Sequence, residues 1–92
     1  MRQRTHHERV ARQGRRRVGG VITVIQEDRF GLLADDGVHL LCQLAHGCAA
    51  GWADLQRAMR AQRHVEVECD DPKGVLLARV HHVFESARPL GE

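Results

Sequence analysis

Between Val18 and Gln43, apolar and polar positions alternate in three short runs separated by two polar breaks. The first run, Val18 to Gln26, puts Ile22, Val24 and Gln26 on one side of an extended chain and Val21, Thr23 and Ile25 on the other, which is the period of a β-strand. Glu27-Asp28 interrupts it, and Phe30 to Ala34 forms the second run. Asp35-Asp36-Gly37 interrupts again with an Asp-Gly hairpin signal, and Val38 to Gln43 forms the third. The pattern predicts a three-stranded antiparallel meander. Gly19 and Gly20 permit the bend or bulge that the first strand of a small barrel requires.

Leu44 to Gly51 reads LAHGCAAG, small and loop-like. From Asp54 to Gln62 the period changes: Leu55, Ala58, Met59 and Gln62 fall at helical spacing, and Asp54 sits near the positive end of the helix dipole. Arg57, Arg60 and Arg63 then project to the solvent side, either solvating the helix or contacting phosphate. His64 to Cys69 alternates again, with Val65 and Val67 inward. Asp70-Asp71-Pro72-Lys73-Gly74 has turn chemistry, Val75 to Phe84 forms a fifth strand, and the remainder reads as a frayed end. Three strands, a short helix and two strands is the order of the OB-fold, a five-stranded Greek-key barrel. The predicted class is therefore all-β, a small OB-fold-like antiparallel barrel with one short helix between strands 3 and 4. An open sheet of the Sm or SH3-like sort has the same periodicity.

At 92 residues the chain makes one small domain. A domain of that size buries only about 60% of its unfolded surface, which argues against a deep catalytic cavity. The formal charge of +2 conceals an asymmetry. Residues 1–17 hold seven arginines against Glu8, while residues 18–92 hold seven basic and eleven acidic side chains. The division this predicts is a flexible basic arm over 1–17, the barrel domain over 18–85 and a tail over 86–92. A basic arm on a slightly acidic body suits a polyanionic partner, although a solvated tail has the same composition. Within the arm, Thr5 and Glu8 have capping-box spacing, so a marginal helix to about Gln13 is expected. The sequence has no 18-residue apolar run and no apolar leader, so neither a membrane span nor a secretory signal is expected. Three cysteines, Cys42, Cys48 and Cys69, lack framework spacing, and with no leader this predicts a reduced, cytoplasmic protein.

The stretch Gly20 to Leu33, GVITVIQEDRFGLL, resembles the first ribonucleoprotein motif of the cold-shock domains: a glycine-led strand, an acidic turn, a basic residue and a ring beside glycine. Val38 to Cys42 sits where the second motif belongs. Gly51-Trp52-Ala53-Asp54-Leu55 resembles the family's Gly-Phe-x-x-Leu loop, and Asp71 to Gly74 its penultimate turn. The segment Leu55 to Val65 is longer than the family pattern by about one helical turn. This resemblance implies non-catalytic binding of single-stranded RNA or DNA. Carried over by position, the platform is Val24, Phe30, Leu32, His39, Leu41 and Trp52, flanked by Arg29, with Arg9, Arg12, Arg15, Arg16 and Arg17 of the arm on phosphates. Phe30 with Leu32, and His39 with Leu41, each lie two apart on a strand, so each pair shares a face. Of the platform, Phe30, His39 and Trp52 alone keep a ring, and each lost ring removes about 1 to 3 kcal/mol of base stacking. The face therefore either binds a strand weakly, with the arm adding charge, or serves as an apolar contact for a protein partner or a second copy. Trp52 fits a core anchor for the helix as well as it fits stacking, and Phe84 fits packing better than recognition.

Other chemistry finds less support. His39, Cys42, His46 and Cys48 lack the close pair typical of zinc sites, and His39 and Cys42 fall on opposite faces of a strand. Cys42 suits a small buried hydrophobe. The pair His6-His7 lies in the arm, and His81-His82 should have one ring in and one out. Asp35-Asp36 and Asp70-Asp71 sit at turns, where carboxylates cap backbone amides. With no phosphate loop, nucleophile elbow or metalloprotease helix, the expectation is a protein that is not an enzyme and needs no metal or cofactor.

Overall fold

The alternation of the first half of the chain builds three antiparallel strands, β1 (Arg16–Gln26), β2 (Arg29–Ala34) and β3 (His39–Leu44), in a computed structural model that describes residues 14–91. The β1–β2 connection is the two-residue turn Glu27-Asp28, with Glu27 in the left-handed region at φ 53°. The β2–β3 turn places Gly37 at φ 91°, and the Val38 N–H donates to Asp36 Oδ1 at 3.0 Å, so the Asp-Gly signal marks a real turn. The sequence puts a short helix next, α1 (Trp52–Arg60), two residues earlier than its apolar spacing suggests, because Asp54 accepts from the Gly51 N–H at 2.9 Å and starts it there. Strands β4 (His64–Asp70) and β5 (Ala78–Glu85) follow, and β6 (Arg88–Pro89) hangs on β5.

The strand order is β3-β2-β1-β4-β5-β6, and β3 also pairs in parallel with β5 through Cys42, Gln43 and Leu44 against Ala78, Arg79 and Val80. That last pairing closes five strands into a barrel with one helix between β3 and β4, an OB-like architecture. The open-sheet alternative is excluded by closure. Ile22, Phe30, Leu32, Cys42, Leu55, Val65, Val67, Cys69, Val80 and Val83 fill the interior. Gly20 is required where β1 crosses β2, since a Cβ there would lie 2.3 Å from the Leu33 carbonyl oxygen.

Two bulges decide which side chains face outward. In β1, Ile22 pairs with Leu32 but Val24 pairs with Gly31, so Thr23 is extra and the alternation reverses across it. Ile22 and Ile25 therefore face the interior and Val24 faces out, not Ile22 with Val24. In β5 the register slips between Glu68↔His82 and Cys69↔Val80, leaving His81 extra. Val80 and Val83 are both buried as a result. Both imidazoles reach carboxylates of β4 rather than one facing the core: His81 Nε2 is 3.0 Å from Asp70 Oδ1, and His82 Nε2 is 3.7 Å from Glu68 Oε1. The fifth strand starts three residues later than the apolar run implied, because Val75 and Leu76 are exposed in the turn. The expected frayed end is instead partly structured, through β6 and the bond from Leu90 N–H to Val83 O at 2.8 Å.

Candidate nucleic-acid interface

The open surface of the meander is the outer face of β1, β2 and β3. Across it Arg29 pairs with Gln43, Gly31 with Leu41 and Leu33 with His39, while Val24 lies beside Gly31. Val24, Leu33 and Leu41 are all exposed, at 46%, 37% and 43%. They form an apolar centre rimmed by Gln26, Arg29, His39 and Gln43. Arg29 and Leu41 also line a shallow depression of about 760 Å³ around the β1–β2 turn.

This face holds only part of the platform expected from the sequence. Arg29, His39, Leu41 and Val24 are on it. Phe30 and Leu32 are not: they are 1% and 0% exposed and pair with Cys42 and Leu40 on the inner face. The rule that residues two apart share a face holds, but the strand presents the opposite side. Phe30, Leu32 and Ala34 turn inward because burying a phenyl and an isobutyl group is worth several kcal/mol more than burying Gly31 and one leucine, about 0.8 kcal/mol for each CH₂. Trp52 is half-buried and meets the Phe30 ring edge to face, with centroids 6.4 Å apart, so it anchors the start of α1. Gly31 and Leu33 belong to the face and were missed, since their signal is the bulge at Thr23. The outer face therefore offers one ring, the His39 imidazole.

The arginines expected on phosphates divide in two. Arg9 and Arg12, with the capping-box helix and His6-His7, lie outside the described residues. Arg16 and Arg17 open β1 and Arg15 immediately precedes it, so all three lie against β4 and its following turn rather than in an arm. Arg16 donates Nε and Nη2 to Asp71, both at 2.9 Å, which raises its pKa further. Arg15 and Arg17 each reach a β4 carboxylate at 3.3 Å, Glu68 and Glu66, and the Arg17 guanidinium covers the Phe84 ring at 4.1 Å. Glu68 is 5% exposed, and a carboxylate buried that far needs such partners. Beside it, Arg79 donates to Asp70 at 2.7 Å and 3.1 Å and, with His81, holds that carboxyl down at about 2.

Of the residues weighed for a metal, His39 lies on the outer face and Cys42 in the core. Among the described residues no three His, Cys, Asp or Glu side chains gather closely enough to hold an ion. Burial pushes the Cys42 thiol up to about 12 and the Cys69 thiol to about 11. Compared with protein-family models, curated proteins and solved structures, the chain matches none. Among the described residues no helix is long and apolar enough to cross a membrane.

Proposed function

We propose that this protein binds single-stranded nucleic acid without catalysis, using phosphate contacts more than base stacking. The observation that carries the reading is where the positive charge lies: residues 14–91 hold ten basic and ten acidic side chains, but not every basic one is engaged by a carboxylate. Among the described residues every carboxylate except that of Glu27 has an arginine, imidazole, amide or backbone N–H partner. Arg60, Lys73 and Arg88 have no carboxylate within ion-pair distance among those residues, and Arg29 is 3.9 Å from Asp28. Residues 1–13 add Arg2, Arg4, Arg9 and Arg12 against Glu8. The net positive charge therefore comes from residues 1–13, joined by the unengaged cations of the barrel; both suit a polyanion and give affinity that is insensitive to sequence and falls with salt. Bases displayed by a single strand have apolar contact on Val24, Leu33 and Leu41 and one stacking partner in His39, while Arg29 faces the backbone.

Fluorescence anisotropy of a labelled single-stranded oligonucleotide, titrated with the full chain at several salt concentrations, tests this. Replacing Arg2, Arg4, Arg9 and Arg12 together by Ala should flatten the slope of log K against log salt by about 2.8, at about 0.7 per phosphate contact on a single strand. Leu41→Asp should weaken binding at every salt concentration. Absence of binding by the unmodified chain at low salt would sink the proposal.

One observation favours a second reading. An apolar centre with a polar rim and no phenyl, phenol or indole ring is also the anatomy of a protein contact, here a second copy of the chain. That reading has Leu33→Asp convert a dimer to a monomer in sedimentation while oligonucleotide affinity stays unchanged.

A further inference from the structure

A groove runs between the C-terminal half of α1 and the β5–β6 hairpin, about 580 Å³ in volume and open along one side. Arg57, Arg60, Arg63 and Arg88 line it, with Asp54 and Glu85 as its carboxylates. Asp54 holds Arg57, and Glu85 holds Arg63 at 3.0 Å. Those pairs fix two guanidinium groups in place. Among the described residues Arg60 and Arg88 have no such partner, so the groove carries two positive charges in excess of its own carboxylates.

Helix electrostatics alone do not produce this arrangement. Arginines in a last helical turn interact favourably with the helix dipole, which accounts for Arg57 and Arg60. Arg88 comes from β6, an element 28 positions further along the chain than Arg60. It is delivered by a turn in which Ser86 and Ala87 both take the left-handed conformation, at φ 53° and 67°, with no glycine or asparagine to ease it. Strained backbone of that kind persists where the surrounding structure enforces it and concentrates at functional sites. The enforcement is visible: Leu90 is bonded to Val83, and Gly91 lies so close to the Ala49 backbone that no side chain fits there. The segment carrying Arg88 is thus clamped on both sides.

We infer that this groove is a phosphate-binding site for the backbone of a single-stranded nucleic acid. The inference rests on the function proposed above and adds a location to it. Guanidinium forks bind phosphate oxygens two at a time. Arg57 and Arg63 are held by their carboxylates, so Arg60 and Arg88 supply the uncompensated charge on facing walls. A phosphodiester entering the groove replaces the missing anions.

The test compares the full chain with Arg60→Ala/Arg88→Ala, Arg60→Lys/Arg88→Lys and, as a control, Arg79→Ala, whose guanidinium is occupied by Asp70. Each titrates a labelled single-stranded oligonucleotide by anisotropy from about 50 to 200 mM salt. Removing two phosphate contacts should reduce the salt slope by about 1.4, equivalent to a loss of about 60-fold at about 50 mM and about tenfold at about 200 mM salt. The lysine pair should keep the slope and lose part of the affinity, and Arg79→Ala should match the unmodified chain. If the unmodified chain binds and the double alanine variant binds identically with the same slope, the groove assignment is overturned while the proposed function stands. If the unmodified chain binds no oligonucleotide but binds phosphatidylglycerol vesicles, or binds neither, both fall. All three sites are exposed, and unchanged circular dichroism verifies that the variants fold.

Discussion

Replacing Phe30 distinguishes a core residue from a base-stacking one, and the two roles predict opposite results. The ring is 1% exposed, lies opposite Cys42 and packs edge to face on Trp52. Phe30→Ala would empty that space at a cost of about 3 to 5 kcal/mol. A domain of this length holds a total of about 5 to 14 kcal/mol, so the alanine variant sits close to unfolding. Phe30→Leu is the sharper perturbation. It keeps an apolar side chain of similar volume and loses the ring pair, which is worth about 1 kcal/mol. With a urea dependence near 1 kcal/mol per molar for a small domain, the midpoint should fall by about 1 M. Urea titrations followed by circular dichroism and by Trp52 fluorescence measure that shift, and anisotropy in the absence of urea measures oligonucleotide affinity, which should be unchanged. A midpoint equal to that of the unmodified chain, together with a severalfold loss of affinity, would put the ring on the surface and refute the assigned register.

Leu32→Asp and Leu33→Asp, adjacent on β2, should differ sharply: the first buries a carboxylate and abolishes cooperative unfolding, whereas the second shifts the thermal midpoint by only a few degrees. Gly20→Ala drives a methyl group into the Leu33 carbonyl and the Ala34 backbone and should cost at least about 2 kcal/mol in urea unfolding, since neither neighbour is a side chain that can swing aside. Labelling with Ellman's reagent at pH 8 should modify Cys48 first. Cys42 and Cys69, buried with thiols pushed up to about 12 and about 11, should react only at the rate of unfolding. The Asp70 carboxyl, held at about 2 against an ordinary 3.8, binds its proton more readily in the unfolded chain. The stability it contributes is therefore present above about pH 4 and lost as pH falls to about 2, and the difference between the unmodified chain and Asp70→Asn in urea should vanish over that interval.

Element order was legible in the sequence because each connection carries its own chemistry: Asp-Gly between β2 and β3, Asp54 at the start of α1, and proline with glycine before β5. Facing was not legible in β2. Phe30, Leu32, Leu33 and Ala34 are apolar on both sides of Gly31, so alternation says which residues share a face but not which face is buried. The decision comes from partners distant in sequence: Trp52 on Phe30, Cys42 across from it, and a bulge at Thr23 that reverses the parity of β1. A bulge leaves no mark in composition, and the second one, at His81, escaped for the same reason.

The charge pattern was misjudged through a similar limit, and it bears on function. Seven arginines before Val18 read as one flexible basic arm while their partners are unknown. The alternation of Glu66, Glu68 and Asp70 along β4 was the available signal that an adjoining strand carries cations at matching spacing. Once β1 pairs with β4, Arg15, Arg16 and Arg17 neutralise acids of the barrel. A ligand phosphate would then have to displace a carboxylate already in place, at Glu68 a buried one, and the net gain would be small. Charge that is not engaged inside the fold has no such competitor. On the proposed function, the arginines that would matter for a polyanion are thus those left unmatched by folding, which is why Arg60, already weighed for phosphate in the sequence, and Arg88, which was not, would outrank the conspicuous run at Arg15 to Arg17.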